Sequence, residues 1–127
     1  MAAVAHPPET LEGWYLAHRI VSFDRASLRT RGEPASMARD ADAVLVTLSE
    51  PAEGGWTLAL PLVGSVGSLM IVHARPTLES LAAAERTLAG AALFDSARSE
   101  YAFLSVTEAG LYHVTAELAK AAVARGG

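Results

Sequence analysis

Two short runs that are apolar on both faces of a strand constrain the fold most strongly. They are WYLAHRIVSF, residues 14–23, and SLMIVHA, residues 68–74. Both contain many β-branched or apolar residues, and successive side chains of a strand point to opposite faces. Each run therefore places apolar side chains on both sides of a sheet. Because this pattern is typical of inner strands, the sequence predicts that these two runs lie side by side at the centre of the sheet.

Two further strands are predicted around the central pair. The run WTLALPLV, residues 56–63, is separated from the second central run by Gly64, Ser65 and Gly67, which favours a hairpin. Pro61 has no N–H to donate to a neighbouring strand, so this strand is expected at an edge. The run YAFLSVT, residues 101–107, is the predicted fourth strand.

Apolar residues at helical spacing predict three helices. The first covers residues 36–50, with Ser36 as its N-cap, and the second begins after Thr77 and ends near Gly90. The third covers residues 115–125. The stripe that identifies the first helix consists of Met37, Ala41, Val44, Leu45 and Leu48.

The order of these elements predicts one α+β domain over residues 1–127, with an extended leader over residues 1–12. It is strand, helix, strand, strand, helix, strand and a terminal helix, which is the ferredoxin-like βαββαβ plan with a C-terminal helix. Two helices cover only one face of a four-stranded sheet. The other face is also apolar, so we expect it to pack on a second copy, as in a dimeric α/β-barrel. The alternative is that the leader or the terminal helix folds over it.

Predicted face assignments follow from the alternation along the central strands. Leu16, Ile20, Leu69 and Ile71 are expected on one side, and Ala17, Val21, Met70 and Val72 on the other.

Composition excludes several classes of protein. The absence of cysteine rules out disulfides, thiolate metal sites and a cysteine nucleophile. A formal net charge of -4 argues against a nucleic-acid partner. No apolar run reaches the roughly 20 residues that span a bilayer, and we expect a cytoplasmic protein without a membrane partner. The cluster Arg25, Arg29 and Arg31 is interpreted as a solvated loop, with an anion-binding lip as the alternative.

Histidines are the main candidates for chemistry. If His18 and His73, on the two central strands, share one face of the sheet, their imidazoles could hold a metal or a haem iron. The alternative is that each is a hydrogen-bonded histidine near a strand end. No HxxxH pair and no carboxylate at helical spacing completes a metal site, so none is predicted, and no catalytic residue is identified.

Three segments carry a resemblance to a known family. They are TLEGWYLAHRI at residues 10–20, SLMIVHARPTLESLAAAERTL at residues 68–88 and YAFLSVTEAGLYH at residues 101–113. Together they resemble the N-terminal half of chlorite dismutase family proteins, which include coproporphyrin-haem decarboxylases. In that family the haem, its axial histidine and the distal arginine belong to the C-terminal half. The predicted helix over residues 36–50 contains no histidine, so no catalytic residue is carried over.

The resemblance leads to competing functional hypotheses. The first is a haem-free, non-catalytic homo-oligomer without a cofactor, which has a structural role or binds a small ligand. The second is a haem- or porphyrin-binding oxidoreductase or decarboxylase, with a site between subunits that uses His18, His73 or His113. A cofactor-free oxygenase is a variant of this enzyme hypothesis. A third is an accessory subunit that pairs with a full-length relative or with a separate C-terminal half.

Overall fold

The computed structural model describes residues 13–108 and 111–126, and the side chains of residues 111–116 are left aside. The predicted leader, residues 1–12, lies outside the described residues. The described residues fall into two compact units. The larger is residues 15–105, and the smaller contains residues 13–14, 106–108 and 111–126. The candidate site lies within the larger unit.

Four strands form one sheet in the order β2-β3-β1-β4. This order confirms the ferredoxin-like α+β prediction, with the two doubly apolar runs at the centre and the strand of Pro61 at an edge. The elements are β1 (Tyr15–Phe23), α1 (Arg25–Arg31), α2 (Pro34–Ser49), β2 (Trp56–Pro61), β3 (Leu69–Arg75), α3 (Leu78–Ala89), a 3-10 helix (Ala92–Ser96), β4 (Ala97–Val106) and α4 (Leu111–Ala124).

The register of the central strands decides which side chains share a face. Strands β1 and β3 are antiparallel, and Ala17 lies opposite His73. Because directly opposed residues point to the same side, one face carries Ala17, Val21, Leu69 and Ile71, and the other carries Leu16, Ile20, Met70 and Val72. The predicted assignment was therefore wrong for β3, whose residues all belong on the opposite face from the one expected. Alternation within a strand is visible in a sequence, but the register between strands is not.

The hydrophobic core lies between the first of these faces and helices α2 and α3. Val21 of β1 and Ile71 of β3 pack there against Leu48 of α2 and against Ala84 and Leu88 of α3. The start of α3 agrees with the prediction from the sequence. Thr77 is its N-cap, and its hydroxyl accepts a hydrogen bond from the backbone N–H of Ser80 at 3.1 Å.

Several boundaries differ from prediction. The segment with the arginine cluster is not a loop but the seven-residue helix α1, because the side chain of Asp24 accepts hydrogen bonds from the N–H groups of Ala26 and Ser27. Helix α2 begins at Pro34, whose fixed φ suits the first turn, so Ser36 is not its N-cap. Strand β4 starts at Ala97 rather than Tyr101, and α4 starts at Leu111 rather than Thr115.

The second face of the sheet carries Leu16, Ile20, Leu58, Leu60, Met70 and Val72. Val72 at its centre is buried, and the exposed apolar surface lies mainly on the edge strand. Leu58 and Leu60 on the edge strand β2 are 47% and 41% exposed. None of the helices in the described part of the chain has the length and apolar character needed to cross a membrane.

Candidate ligand-binding cavity

A cavity of about 520 Å³ lies in the larger unit, with walls from β1, β3, β4, α3 and the 3-10 helix. Its size falls within the range of about 300–1,000 Å³ that is usual for small-molecule sites. Most of its walls are apolar, and polar groups enter at few positions. The apolar side chains include Leu78, Leu81, Leu88, Phe94 and Phe103.

His73 is the most deeply buried polar group of this cavity, at 4% exposure. Its Nδ1 lies 2.7 Å from the hydroxyl of Thr57, its directly opposed neighbour on β2. Burial, together with the positive charges of Arg75 and Arg19, lowers the pKa of His73 from 6.5 to about 4. The imidazole is therefore neutral at ordinary pH. Since Nδ1 is engaged by Thr57, Nε2 is the nitrogen left to interact with a ligand.

Arg75 is connected to His73 through the hydroxyl of Thr57. The residue is 1% exposed. Its guanidinium donates to the backbone carbonyls of Trp56, Ala74 and Leu48 at 2.6, 2.9 and 3.0 Å, and to the hydroxyl of Thr57 at 3.0 Å. Burial lowers its pKa, and the carboxylate of Glu53, 3.9 Å from Nε, opposes that change. The cation is thus held mainly by backbone oxygens, and its bond to Thr57 extends this network to His73.

His18 offers a different environment. Its ring stacks on Phe103 of β4, with the ring centroids 4.3 Å apart and the planes 9° from parallel. Its Nδ1 is buried and has no hydrogen-bond partner in the described structure. A buried polar atom without a partner is unusual in a native protein and calls for an explanation such as a ligand or a water molecule.

The two central histidines do not share a face of the sheet, because Ala17 and not His18 lies opposite His73. The condition for a site built from both imidazoles on one face is therefore not met, although both side chains line the cavity. His113 lies on α4, and its side chain is outside the description. Among the described residues, no three His, Asp or Glu side chains are grouped as a metal site.

A charged pair adds to the cavity lining. Arg19 of β1 and Glu85 of α3 form a salt bridge at 2.9 Å, and both side chains are partly exposed. The sequence analysis missed this pair, and it also missed Thr57 and Arg75. One signal was present, since Arg75 directly follows the apolar run of residues 68–74 and is the last residue of β3. The partner residues depend on strand register and helix placement, which the sequence does not display.

The larger unit thus combines a ferredoxin-like sheet with a mostly apolar cavity of ligand size, which defines a small α+β protein with a pocket. Comparison with known families makes this more specific. The family model described as chlorite dismutase matches residues 35–126. The chain belongs to the chlorite dismutase family, and the resemblance seen in its sequence is confirmed.

Two archaeal relatives are each named "putative heme-binding protein". The protein from Natronomonas pharaonis is 33% identical over 111 residues, which is 84% of this chain and 18% of that protein. The protein from Haloarcula marismortui is 33% identical over 115 residues, covering 84% of this chain and 16% of its own length. The chain thus spans less than a fifth of the length of these relatives.

Solved structures agree on the fold. A structure described as a novel heme-binding protein from Thermus thermophilus has a TM-score of 0.59 and 29% identity, over 80% of this chain and 43% of the other. A mutant chlorite dismutase from Candidatus Nitrospira defluvii has a TM-score of 0.65 and 16% identity, over 90% of this chain and 48% of the other. The second likeness concerns the fold alone.

The expectation of a protein without a cofactor was wrong. The two archaeal relatives and the Thermus thermophilus protein carry names that specify haem binding, so the comparisons point to haem rather than to no cofactor. The error arose from reasoning that the family's axial histidine belongs to the half of the protein that this chain does not resemble. That reasoning gave the absent half more weight than the histidines on the central strands, which the sequence analysis had already named as candidate haem ligands.

Proposed function

We propose that this chain is a haem-binding protein, which takes an iron porphyrin into the cavity beside His73. The observation that carries the proposal is a neutral, buried imidazole with one nitrogen engaged by Thr57 and the other left for a ligand. The names of the relatives support the same ligand class.

The residues of the cavity fit such a group chemically. Its mostly apolar wall suits the apolar faces of a porphyrin ring, and Phe103 and His18 provide flat side chains beside it. Nδ1 of His18 has no hydrogen-bond partner in the described structure, and a bound ligand could supply one. Arg19 offers a cation for a carboxylate of the ligand, in exchange for its bond to Glu85.

His73 is the proposed iron ligand. Metal ions bind the neutral form of imidazole, and a lowered pKa keeps His73 in that form well below neutral pH. Ligating histidines usually hold their second nitrogen in a hydrogen bond, and Thr57 is placed to provide it. Bound haem would supply iron-centred redox chemistry, and the side chains around it would bind the ring, orient the ligating imidazole and restrict water.

Titration of the purified protein with haem tests the proposal. We expect a shifted Soret band and saturation at one haem per chain. His73→Ala is expected to weaken binding at least tenfold, and added imidazole should restore part of it. His18→Ala and His113→Ala examine the two other candidates and are expected to have smaller effects. A protein that shows no saturable Soret change would contradict haem binding. Wild-type affinity in His73→Ala would remove His73 as the ligand.

We also propose that the second face of the sheet packs on a second copy of the chain. Leu58 and Leu60 support this because both expose apolar surface on an edge strand. The similar solved chains are more than twice as long as the part that this chain matches, so two copies of this chain together have about the length of one of them.

Sedimentation of the wild type should show a dimer or larger ring that Leu58→Lys disrupts. Val46→Lys, at a 65% exposed position on α2, is the control. A wild type that sediments as a monomer at micromolar concentration would contradict the proposal.

A further inference from the structure

The hydrogen bonds around Thr57 determine where the proton of His73 resides. Thr57 is 4% exposed, and its hydroxyl oxygen has two neighbours, Nη2 of Arg75 at 3.0 Å and Nδ1 of His73 at 2.7 Å. A hydroxyl group has one proton to donate and two lone pairs to accept with. The guanidinium of Arg75 can only donate, so it occupies one lone pair.

Two arrangements are then possible between Thr57 and His73. In the first, the hydroxyl donates its proton to Nδ1, and the imidazole carries its own proton on Nε2. In the second, Nδ1–H donates to the second lone pair, and the hydroxyl proton needs another acceptor. The described structure gives this hydroxyl no contact beyond Arg75 and His73. A buried donor without a partner costs about 1–3 kcal/mol, so the first arrangement is favoured.

We infer that Arg75 and Thr57 together hold His73, in the ligand-free protein, as the tautomer with its proton on Nε2. The free cavity then presents a hydrogen-bond donor and not a lone pair. The tautomer concerns the ligand-free protein, and only its effect on iron ligation rests on the proposed function. To ligate iron through Nε2, His73 must release the proton from Nε2 and carry one on Nδ1, and the hydroxyl of Thr57 must turn from donor to acceptor. Thr57 is therefore a positioning residue, which acts on the ligand through His73.

Removal of the hydroxyl should relax this preference. In Thr57→Val, Nδ1 loses its donor, and both tautomers of His73 become accessible. Haem binding then no longer requires the hydroxyl to reverse its role, but a ligating imidazole also loses the acceptor for its Nδ1–H, so the variant is used to test the position of the proton in the haem-free protein. Thr57→Ser is the matched control, because it keeps the hydroxyl and should keep the wild-type tautomer and affinity.

The decisive measurement is long-range proton–nitrogen NMR of the imidazole in the haem-free protein, with His73 assigned by the loss of its signals in His73→Asn. A proton on Nε2 in the wild type and in Thr57→Ser is expected, with a mixture in Thr57→Val. A wild-type proton on Nδ1 would overturn the inference, and so would an unchanged tautomer in Thr57→Val. The wild-type spectrum decides the question even if Thr57→Val does not fold. Because no haem is present, a failure of haem binding leaves this result intact, and the two proposals fail separately.

Discussion

Acidification should destabilise this protein through His73, by an amount that follows from its burial. The pKa of His73 is lowered from 6.5 to about 4 on folding, so the unfolded chain takes up a proton at higher pH than the folded chain does. The stabilising contribution of the neutral form is complete above pH 6.5 and is lost as the pH falls toward about 4. At about 1.4 kcal/mol per pKa unit, the full loss is on the order of 3 kcal/mol, of which about 2 kcal/mol is already lost near pH 5.

Urea unfolding near pH 7.5 and pH 5, each about a unit or more from 6.5, measures this effect. Other groups also titrate in this interval, so the comparison is between the wild type and His73→Asn, which lacks the imidazole but keeps a polar group near Thr57. The wild type should lose about 2 kcal/mol more than His73→Asn. His18→Asn leaves the ring of His73 buried and should keep the wild-type difference. Equal losses in the wild type and in His73→Asn would refute the reasoning.

Further predictions concern the buried framework. Arg75→Met removes three buried hydrogen bonds and one partly buried hydrogen bond, and we expect a loss of about 3 kcal/mol or more in urea unfolding. Arg98→Met, at a side chain that is 81% exposed, should cost less than about 0.5 kcal/mol. Near-equal effects would contradict this account. Gly55→Ala forces a positive φ of 104° on alanine and places its Cβ against the carbonyl oxygen of Ala74, so its melting temperature should fall clearly. Gly64→Ala, at a φ of 71° with open space around it, should cost only about 1 kcal/mol. A Gly55→Ala variant no less stable than Gly64→Ala would be evidence against this close approach.

Much of the fold could be predicted because it depends on local signals. Alternation along the two central strands, the missing N–H of Pro61 and the hydroxyl of Thr77 each act within a few residues, and the structure agrees with all three. Helix α1 was missed because the arginine cluster was interpreted as a solvated loop and the preceding N-cap, Asp24, was not considered.

The candidate site was less accessible to sequence reasoning. His73 could be chosen from its strand, but whether it faces His18 depends on pairing that shifts by one residue with no change in composition. Thr57 and Arg75 are 18 positions apart and meet only because β2 pairs with β3 in one particular register. Local sequence patterns thus predict the strands and helices, whereas the site depends on the register between strands, which these patterns do not contain.

Arg75 donates to the carbonyl of Leu48, near the end of α2, and to the hydroxyl that contacts His73. The side chain of Arg75 therefore binds a carbonyl group near the end of α2 and also influences the hydrogen bonding of His73 in the pocket. A lineage that acquired a new ligand could not simply exchange this arginine, since the same substitution would leave carbonyl groups of α2, β2 and β3 without a donor. We expect the pocket to diversify instead through lining residues outside the core, such as Leu78 of α3, which is 47% exposed.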